Sequence, residues 1–238
     1  MHGWHSEMIS EKSERLFEVP AAAAPAVTPE ARTYEERLNH ILAAATAVFA
    51  RVGYEKASMR MLAKAAGVSL AGLYHYFESK EKILFLIQFR TFNSLLNGLR
   101  EKLHGIDDPR EQLRVMVRAH VQYFVANMAA LKVCSHELDS LAGEAYESTR
   151  QIRRQYYDLT RQIVERVLAA HGVRPAFDLH VAVMCLFGML NWLYRWYNPR
   201  RGPTPAALAE QIMAQFLRGV LGLPGPSPAD TPVTPEGG

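Results

Sequence analysis

An all-α fold of about nine helices is predicted for this 238-residue chain. Apolar residues recur at steps of three and four, which is the period of a helix with one buried face. No segment alternates apolar and polar residues in the way a half-buried strand does. Breakers such as the run NPRRGP separate the periodic segments, and hydrophobic residues make up 49% of the chain, which is enough to build a core.

The two ends of the chain differ in composition from the middle. Residues 1–33 and 224–238 include Pro- and Ala-rich stretches with few large apolar side chains, and both are predicted to be disordered. Between them we expect a small N-terminal bundle over residues 34–82 and a larger helical bundle over residues 83–223. The N-terminus lacks a signal peptide, and the longest apolar run is too short to cross a bilayer, so a cytoplasmic protein without membrane contact is expected.

Helix boundaries follow from capping residues and breakers. The first helix carries an apolar face through Ile41, Ala45 and Val48 and closes at Gly53. Ser58 and Ser69 are placed to cap two short helices that follow it. The later helices are predicted over residues 80–104, 109–128, 131–141, 144–171, 177–197 and 205–221.

Residues 58–77 have the spacing of a helix-turn-helix, two short helices joined by a turn that contains Gly67. Leu62, Ala63 and Leu73 are expected to bury the crossing of the two helices. The outer side of the second helix is short enough to enter a DNA major groove. That side presents Ser69, Leu70, Gly72, His75 and Tyr76. A helical hairpin without a DNA role is the alternative interpretation.

The run over residues 38–82 resembles the DNA-binding domain of TetR-family transcriptional regulators. The matching segments are VFARVGYEKAS, MLAKAAGVS and GLYHYFESKEKIL. The resemblance implies contacts to DNA bases or phosphates by one residue at the start of the second helix and several on or after the third. With the capping residue Ser58 included, the predicted DNA-binding set is Ser58, Arg60, Ser69, Tyr74, His75, Tyr76 and Lys80.

Each of these contacts has a structural alternative. Tyr74 could only pack the helix corner, His75 could be a solvated surface residue, and Lys80 could cap its helix. Leu70 and Gly72 depart from the Lys and Thr that many family members carry, and neither side chain can hydrogen-bond a base edge. Direct readout is therefore expected to rest on few residues, with Arg60 prominent.

A homodimer is expected, because one short recognition helix reads only a few base pairs and specific affinity needs two half-sites. Residues 34–82 carry seven basic and five acidic residues, a net charge of only +2. So small a charge favours DNA binding that depends on the shape of the dimer over binding by a dense cluster of basic residues. The last two helices are expected to hold more apolar residues than one bundle needs, as in the dimers of the TetR family. The predicted interface consists of Phe187, Leu190, Tyr194, Ile212, Phe216 and Val220. The alternative is that these residues belong to the core of one chain.

Residues 137–218 resemble the effector domain of the TetR branch that regulates degradation of fatty acids, aromatic acids and steroids. Members of that branch commonly respond to coenzyme A thioesters, so an acyl-CoA effector is implied. Arginines of one helix would meet its phosphates, while Met and aromatic residues would line an acyl tunnel. The predicted ligand set is Met116, Tyr123, Phe124, Arg150, Arg153, Arg154, Met184 and Trp192. A basic face over an ordinary core is the alternative.

The predicted function is a ligand-responsive repressor that binds a palindromic double-stranded DNA operator and is released by its effector. A non-CoA hydrophobic effector and a ligand-blind DNA-binding dimer remain as alternatives. No enzyme is expected, since HExxH, GxSxG, P-loop and strand-associated GxGxxG motifs are missing. No metal or cofactor is expected either, because Cys134 and Cys185 lie in apolar runs without metal-ligand spacing.

Overall fold

A computed structural model of the chain describes residues 29–173 and 178–223, and these residues form an all-α fold. They contain nine α-helices of seven or more residues and one of four residues, which confirms the predicted fold class. The helices are α1 (Pro29–Val52), α2 (Met59–Ala65), α3 (Leu70–Tyr76), α4 (Lys80–Leu103), α5 (Pro109–Ala126), α6 (Met128–His136), α7 (Gly143–Ala170), α8 (Leu179–Asn191), α9 (Leu193–Trp196) and α10 (Pro205–Gln215).

The chain divides into two compact units, residues 1–39 and residues 40–238. In the first unit, the described residues belong to α1, which begins at Pro29 and not at the predicted boundary of residue 34. Predictions for residues 1–28, 174–177 and 224–238 lie outside the described residues. The disorder predicted for most of the two ends and the start of the helix predicted over residues 177–197 are therefore untested. The second unit is described below.

The helix-turn-helix forms around small and apolar residues at the crossing of α2 and α3. Leu62 and Leu73 are completely buried, and Ala63 is nearly so. The small side chain of Ala63 lets the helices approach closely, and the Val68 amide donates a hydrogen bond of 3.1 Å to its carbonyl. Gly67 adopts the left-handed conformation with φ of 65°, which ends α2 and turns the chain toward α3.

The larger bundle is built on α4, α5 and α7, which pack against one another and bury the main hydrophobic core. Helix α10 packs along α5, and a buried carboxylate joins the two. Glu210 forms ion pairs with Arg118 at 2.7 Å and with Arg114 at 3.5 Å. A buried carboxylate needs such partners, so this cluster fixes how α10 lies on α5.

Several helix ends differ from the predicted ones. Helix α5 stops at Ala126 because Asn127 leaves the helical conformation, and its side chain donates to the Tyr123 carbonyl at 2.7 Å. Helix α6 therefore begins earlier than predicted, at Met128, and gives way to a 3₁₀ turn at Leu138–Ser140. The helix predicted over residues 177–197 breaks at Trp192 into α8 and α9, and the last predicted helix ends as a π-helical turn at Phe216–Val220.

One ionisable side chain lies in the middle of the core. His120 on α5 is fully buried, with its ring 4.8 Å from the Phe124 ring and its Nδ1 3.1 Å from the Tyr156 hydroxyl. Desolvation lowers the pKa of His120 to about 3, and the nearby Asn191 side chain opposes the shift only in part. The imidazole is therefore neutral wherever the protein is folded near neutral pH.

We predict that His120 makes the protein less stable in mild acid. The unfolded chain binds a proton near the ordinary pKa of 6.5, whereas the folded chain does so only near pH 3. The free energy of unfolding should therefore fall as the pH drops from 6.5 toward 3, by up to about 1.4 kcal/mol per pH unit. Urea denaturation of the wild type and of His120→Gln between pH 4 and 8 tests this, and equal pH slopes in the two proteins would contradict it.

Candidate DNA-binding and effector sites

Two serines position the helices of the candidate DNA-binding face. Ser58 accepts a hydrogen bond from the Met61 amide at 3.3 Å at the start of α2. Ser69 accepts one from the Gly72 amide at 2.9 Å at the start of α3. Both predicted caps are present, and both hydroxyls still have a proton to donate to a phosphate.

The remaining predicted DNA contacts lie mostly in solvent. Arg60 is exposed at the second position of α2. On α3, Tyr74 is 51% exposed and His75 is exposed, with the His75 ring edge-on to the half-buried Tyr76 at 5.5 Å. Tyr74 does not fill the helix corner, since Leu73 and Phe77 do so, and its phenol is available to a ligand.

Lys80 has a partner that the sequence pattern did not suggest. Its Nζ donates to the Tyr54 carbonyl at 2.9 Å and lies 4.0 Å from the centre of the Tyr54 ring. The ammonium group thus ties the start of α4 to the turn that follows α1. Two of its three donors are left for a phosphate, so a DNA role for Lys80 would come in addition to this structural one.

Glu137, which follows α6, connects the same turn to the larger bundle. Its Oε1 accepts a hydrogen bond from the Tyr54 amide at 3.1 Å, and its main-chain carbonyl accepts one from Gln88 Nε2 at 2.8 Å. The Ser140 hydroxyl donates to Oε2 at 2.9 Å and orients the carboxylate. Just beyond, the Ala142 amide donates to Glu81 Oε1 at 2.9 Å. We call residues 134–142 the junction segment.

Sequence reasoning missed the junction segment. Tyr54 and Glu137 are 83 residues apart, and neither stands in a recognisable motif. The one available signal was that Gly53 ends α1 in a left-handed conformation, with φ of 82°, which leaves the next amide in need of an acceptor.

Among the predicted ligand residues, Arg153 and Tyr123 lie in the same part of the bundle interior. Arg153 donates to the Cys134 carbonyl at 3.1 Å, and its guanidinium lies 4.9 Å from the centre of the Phe92 ring. Burial lowers the pKa of Arg153, and no carboxylate in the described part of the chain forms an ion pair with it within 4.0 Å. Burial also raises the pKa of Tyr123, whose hydroxyl is close to Thr91.

The other two predicted arginines point elsewhere. Arg150 and Arg154 are largely exposed and form surface ion pairs with Glu147 at 3.3 Å and with Asp158 at 3.6 Å. Arg150 and Arg154 are close to Arg153 in sequence. However, each residue of a helix is rotated by about 100° from the one before it, and this rotation places both side chains on the outer side of α7. The structure therefore does not bring the three arginines together at one site.

The predicted acyl tunnel is also divided. Met116 and Phe124 are fully buried in the core, beside His120 and Val117. Met184 and Trp192 lie on the outside of α8 and just beyond it, 49% and 54% exposed. The four residues do not line one cavity, because α8 turns its other face to the core.

The predicted dimer interface is likewise corrected for most of its residues. Phe187, Leu190, Ile212 and Phe216 are buried within one chain, while Tyr194 and Val220 are half-buried. For those four buried residues, the alternative that they belong to the core of one chain describes the structure. The apolar side chains left in solvent form a different face of α8 and α9, which we call the α8–α9 stripe. It consists of Val181, Met184, Trp192 and Trp196, each about half exposed.

A surface groove of about 550 Å³ lies at the far end of α7, two helical turns beyond Arg153. Arg161, Glu165 and Leu179 are among its lining residues, and none of the predicted ligand residues lines it. In the described residues, no group of three His, Cys, Asp or Glu side chains is placed to hold a metal ion. Within the same ranges, no helix has the length and hydropathy needed to span a bilayer.

Comparison with known proteins agrees with this geometry. The family model described as bacterial regulatory proteins of the tetR family matches residues 41–87, and the model of the tetracyclin repressor-like C-terminal domain matches residues 106–220. Together they include α2, α3 and most of the larger bundle.

Individual relatives match over most of their length. The crystal structure of the TetR-family regulator PfmR from Thermus thermophilus is 33% identical, with a TM-score of 0.67 over 76% of this chain and 98% of that one. The transcriptional repressor KstR2 of Rhodococcus jostii (strain RHA1) is 25% identical over 77% of this chain and 91% of its own length. The structure of AibR with isovaleryl coenzyme A and operator DNA is 25% identical, with a TM-score of 0.67 over 75% of this chain and 97% of that one.

The helix-turn-helix, the bundle behind it and these matches lead to one assignment. Proteins of this kind regulate transcription by binding DNA and are not enzymes. The chain belongs to the TetR family of transcriptional regulators.

Proposed function

We propose that this protein is a homodimeric repressor that binds a palindromic operator and is released from it by a hydrophobic effector, a coenzyme A thioester of a catabolic pathway. Residues 34–82 would bind DNA, and residues 83–223 would bind the effector and the second copy, in the cytoplasm. The exposed α2–α3 face, connected through Glu137 to the bundle that holds Arg153, carries the proposal.

DNA binding would use side chains that the fold leaves available. Arg60 and Tyr74 are exposed on α2 and α3 and take no part in the helix crossing. An arginine fork can bind a base edge or a phosphate, and a phenol can donate to a phosphate oxygen. Ser58, Ser69, His75, Tyr76 and Lys80 would add contacts that fix the register on the backbone.

We predict that Arg60→Ala and Tyr74→Ala each weaken operator binding about tenfold or more without changing helical content, because both residues lie outside the core. The operator is first selected from random duplex DNA, and affinity is then measured by fluorescence anisotropy at one fixed salt concentration. Arg154→Ala serves as the matched control, since it removes an exposed arginine from α7. Unchanged affinity in both DNA-face variants would contradict the assignment.

Dimerisation would bury the α8–α9 stripe. Val181, Met184, Trp192 and Trp196 leave large apolar surfaces in water along α8 and α9, and such surface marks an interaction site. A two-fold pairing of this stripe would cover it with an identical stripe and space two recognition helices for successive major grooves. Exposed Cys185 lies within the same face.

We predict that Trp192→Glu converts the dimer to a monomer, since two charges would meet near the two-fold axis in an otherwise apolar interface. Sedimentation at micromolar concentration gives the mass, and circular dichroism checks the fold. Met61→Glu, which places the same charge on an exposed apolar site of α2, should remain dimeric. A wild type that is already monomeric under these conditions would rule out the proposed interface.

An effector is proposed to bind around Arg153. This guanidinium is half-buried, lies against Phe92 and has no ion-paired carboxylate among the described residues, so an anionic group of a ligand would satisfy it. Isovaleryl coenzyme A in the AibR complex supports a CoA thioester as the ligand class. KstR2, a repressor similar over most of the chain, supports repression.

The effect of ligand binding would reach the helix-turn-helix through the junction segment. Arg153 donates to Cys134, and Glu137, one residue beyond the end of α6, accepts from Tyr54. A ligand that binds better when Arg153 leaves Cys134 would favour a state in which α6 and Glu137 are displaced. Because a ligand shifts an equilibrium only by its difference in affinity for two states, this displacement is what would separate the helix-turn-helix from its operator position.

We predict that acyl-CoA esters lower operator affinity of the wild type, and that Glu137→Ala removes most of this response. Anisotropy titrations use short-chain, long-chain, aromatic and steroid CoA thioesters together with the corresponding free acids. Typical coupling is about 5- to 150-fold, and it should fall below about 2-fold in the variant, whose operator affinity without effector is measured first as the reference.

Glu144→Ala is the control, because it removes an exposed carboxylate two residues beyond the same segment. A full effector response in Glu137→Ala would contradict the relay. If the free acids lower operator affinity as strongly as their thioesters, the CoA assignment is wrong. If no compound of the panel binds, the proposed effector class is wrong and only the assignment as a TetR-family regulator stands.

A further inference from the structure

The recognition helix α3 offers DNA a face without charge. Residues 65–77, which span the turn and all of α3, contain no Asp, Glu, Lys or Arg, and no Asn or Gln either. The exposed residues of α3 are Leu70, Ala71, Tyr74 and His75. Side chains that read guanine, cytosine and adenine through paired or charged hydrogen bonds are therefore missing from this helix.

Leu70 is the largest aliphatic side chain on that face. It is 37% exposed, although it begins a helix whose next buried residue, Leu73, is completely enclosed. The Ser69 cap at 2.9 Å and the Leu73 anchor hold the backbone of Leu70 in place from both sides. Leu70 therefore presents a fixed apolar surface to solvent.

Gly72, two residues after Leu70, has no side chain that could hydrogen-bond a base edge. A Cβ placed on Gly72 would lie 3.1 Å from Ser69 Oγ, the atom that caps the helix. A side chain at residue 72 would press on that cap, and glycine leaves the cap undisturbed while contributing no base contact. Residue 72 therefore adds no hydrogen-bonding side chain beside Leu70.

The major groove exposes one purely apolar group on its base edges, the 5-methyl of thymine. We propose that Leu70 reads a thymine in each operator half-site by packing against this methyl group. The inference depends on the proposed operator binding and adds the base that is read and the residue that reads it. Tyr74 and His75, which can donate hydrogen bonds, then serve the backbone or a single polar base atom.

The test removes only the methyl group. Operators are selected from random duplex DNA, and a thymine at symmetric positions of the two half-sites is expected. Replacing these two thymines by deoxyuridine should weaken wild-type binding about fourfold per methyl, hence on the order of tenfold for both. Base pairing and every hydrogen bond of the base edge are unchanged by the replacement.

Variants assign the effect to one side chain. Leu70→Ala should bind the thymine and deoxyuridine operators equally, within about twofold, while keeping its helical content because Leu70 is not part of the core. Met61→Ala is the matched control, since Met61 is also 37% exposed but lies on α2, and it should retain the wild-type ratio. Leu70→Lys should shift the selected base at this position toward guanine, whose O6 and N7 accept from an ammonium group.

The outcomes separate the two proposals. A selected operator with no thymine at symmetric positions overturns the inference and leaves operator binding intact, as does a thymine site where deoxyuridine binds equally well. A ratio that persists in Leu70→Ala also overturns it, because another residue then reads the methyl. If no duplex is enriched in the selection, the proposed DNA-binding function itself fails, and this inference fails with it.

Discussion

The position of the helix-turn-helix depends on how the backbone of Tyr54 is paired. Helix α1 ends at Val52, and Gly53 takes the left-handed conformation that turns the chain away. The Tyr54 amide that follows is then paired by Glu137, and the Tyr54 carbonyl accepts hydrogen bonds from both the Ala57 amide and Lys80. Buried backbone groups must be paired, so Glu137 and Lys80 hold the turn that leads from α1 to α2 against the end of α6 and the start of α4.

That arrangement brings a contact of the turn before the helix-turn-helix and a contact of Arg153 to one short helix end. Cys134 accepts from Arg153, three residues before Glu137. Between them, the His136 Nε2 lies 2.6 Å from the Tyr194 hydroxyl, so the segment also contacts α9, which carries part of the α8–α9 stripe. In the proposed function, effector site, dimer face and helix-turn-helix would therefore share one movable segment, which is the physical requirement for coupling between sites.

The weak charge of the DNA-binding region fits an apolar recognition face. A net charge of +2 over residues 34–82 supplies little attraction that is independent of sequence. Affinity would then have to come from shape, from a few defined contacts on α3, and from two half-sites held at one spacing. In the proposed function, the exposed tryptophans of the α8–α9 stripe would provide the surface on which such a rigid spacing is built.

The sequence by itself determined the all-α fold, the two serine caps, the Gly67 turn and the family, because these depend on local periodicity and on residues close together in the chain. It also identified the exposed Arg60 and Tyr74, since helical spacing separates them from the buried Leu62 and Leu73. Only the tertiary structure decided which face of α8 is core, which of three neighbouring arginines turns inward, and that Glu137 meets Tyr54. Those outcomes depend on how helices distant in sequence pack against one another. Phe216 and Trp192 are both large apolar residues in apolar segments of the sequence, and packing alone buries the first and leaves the second in solvent.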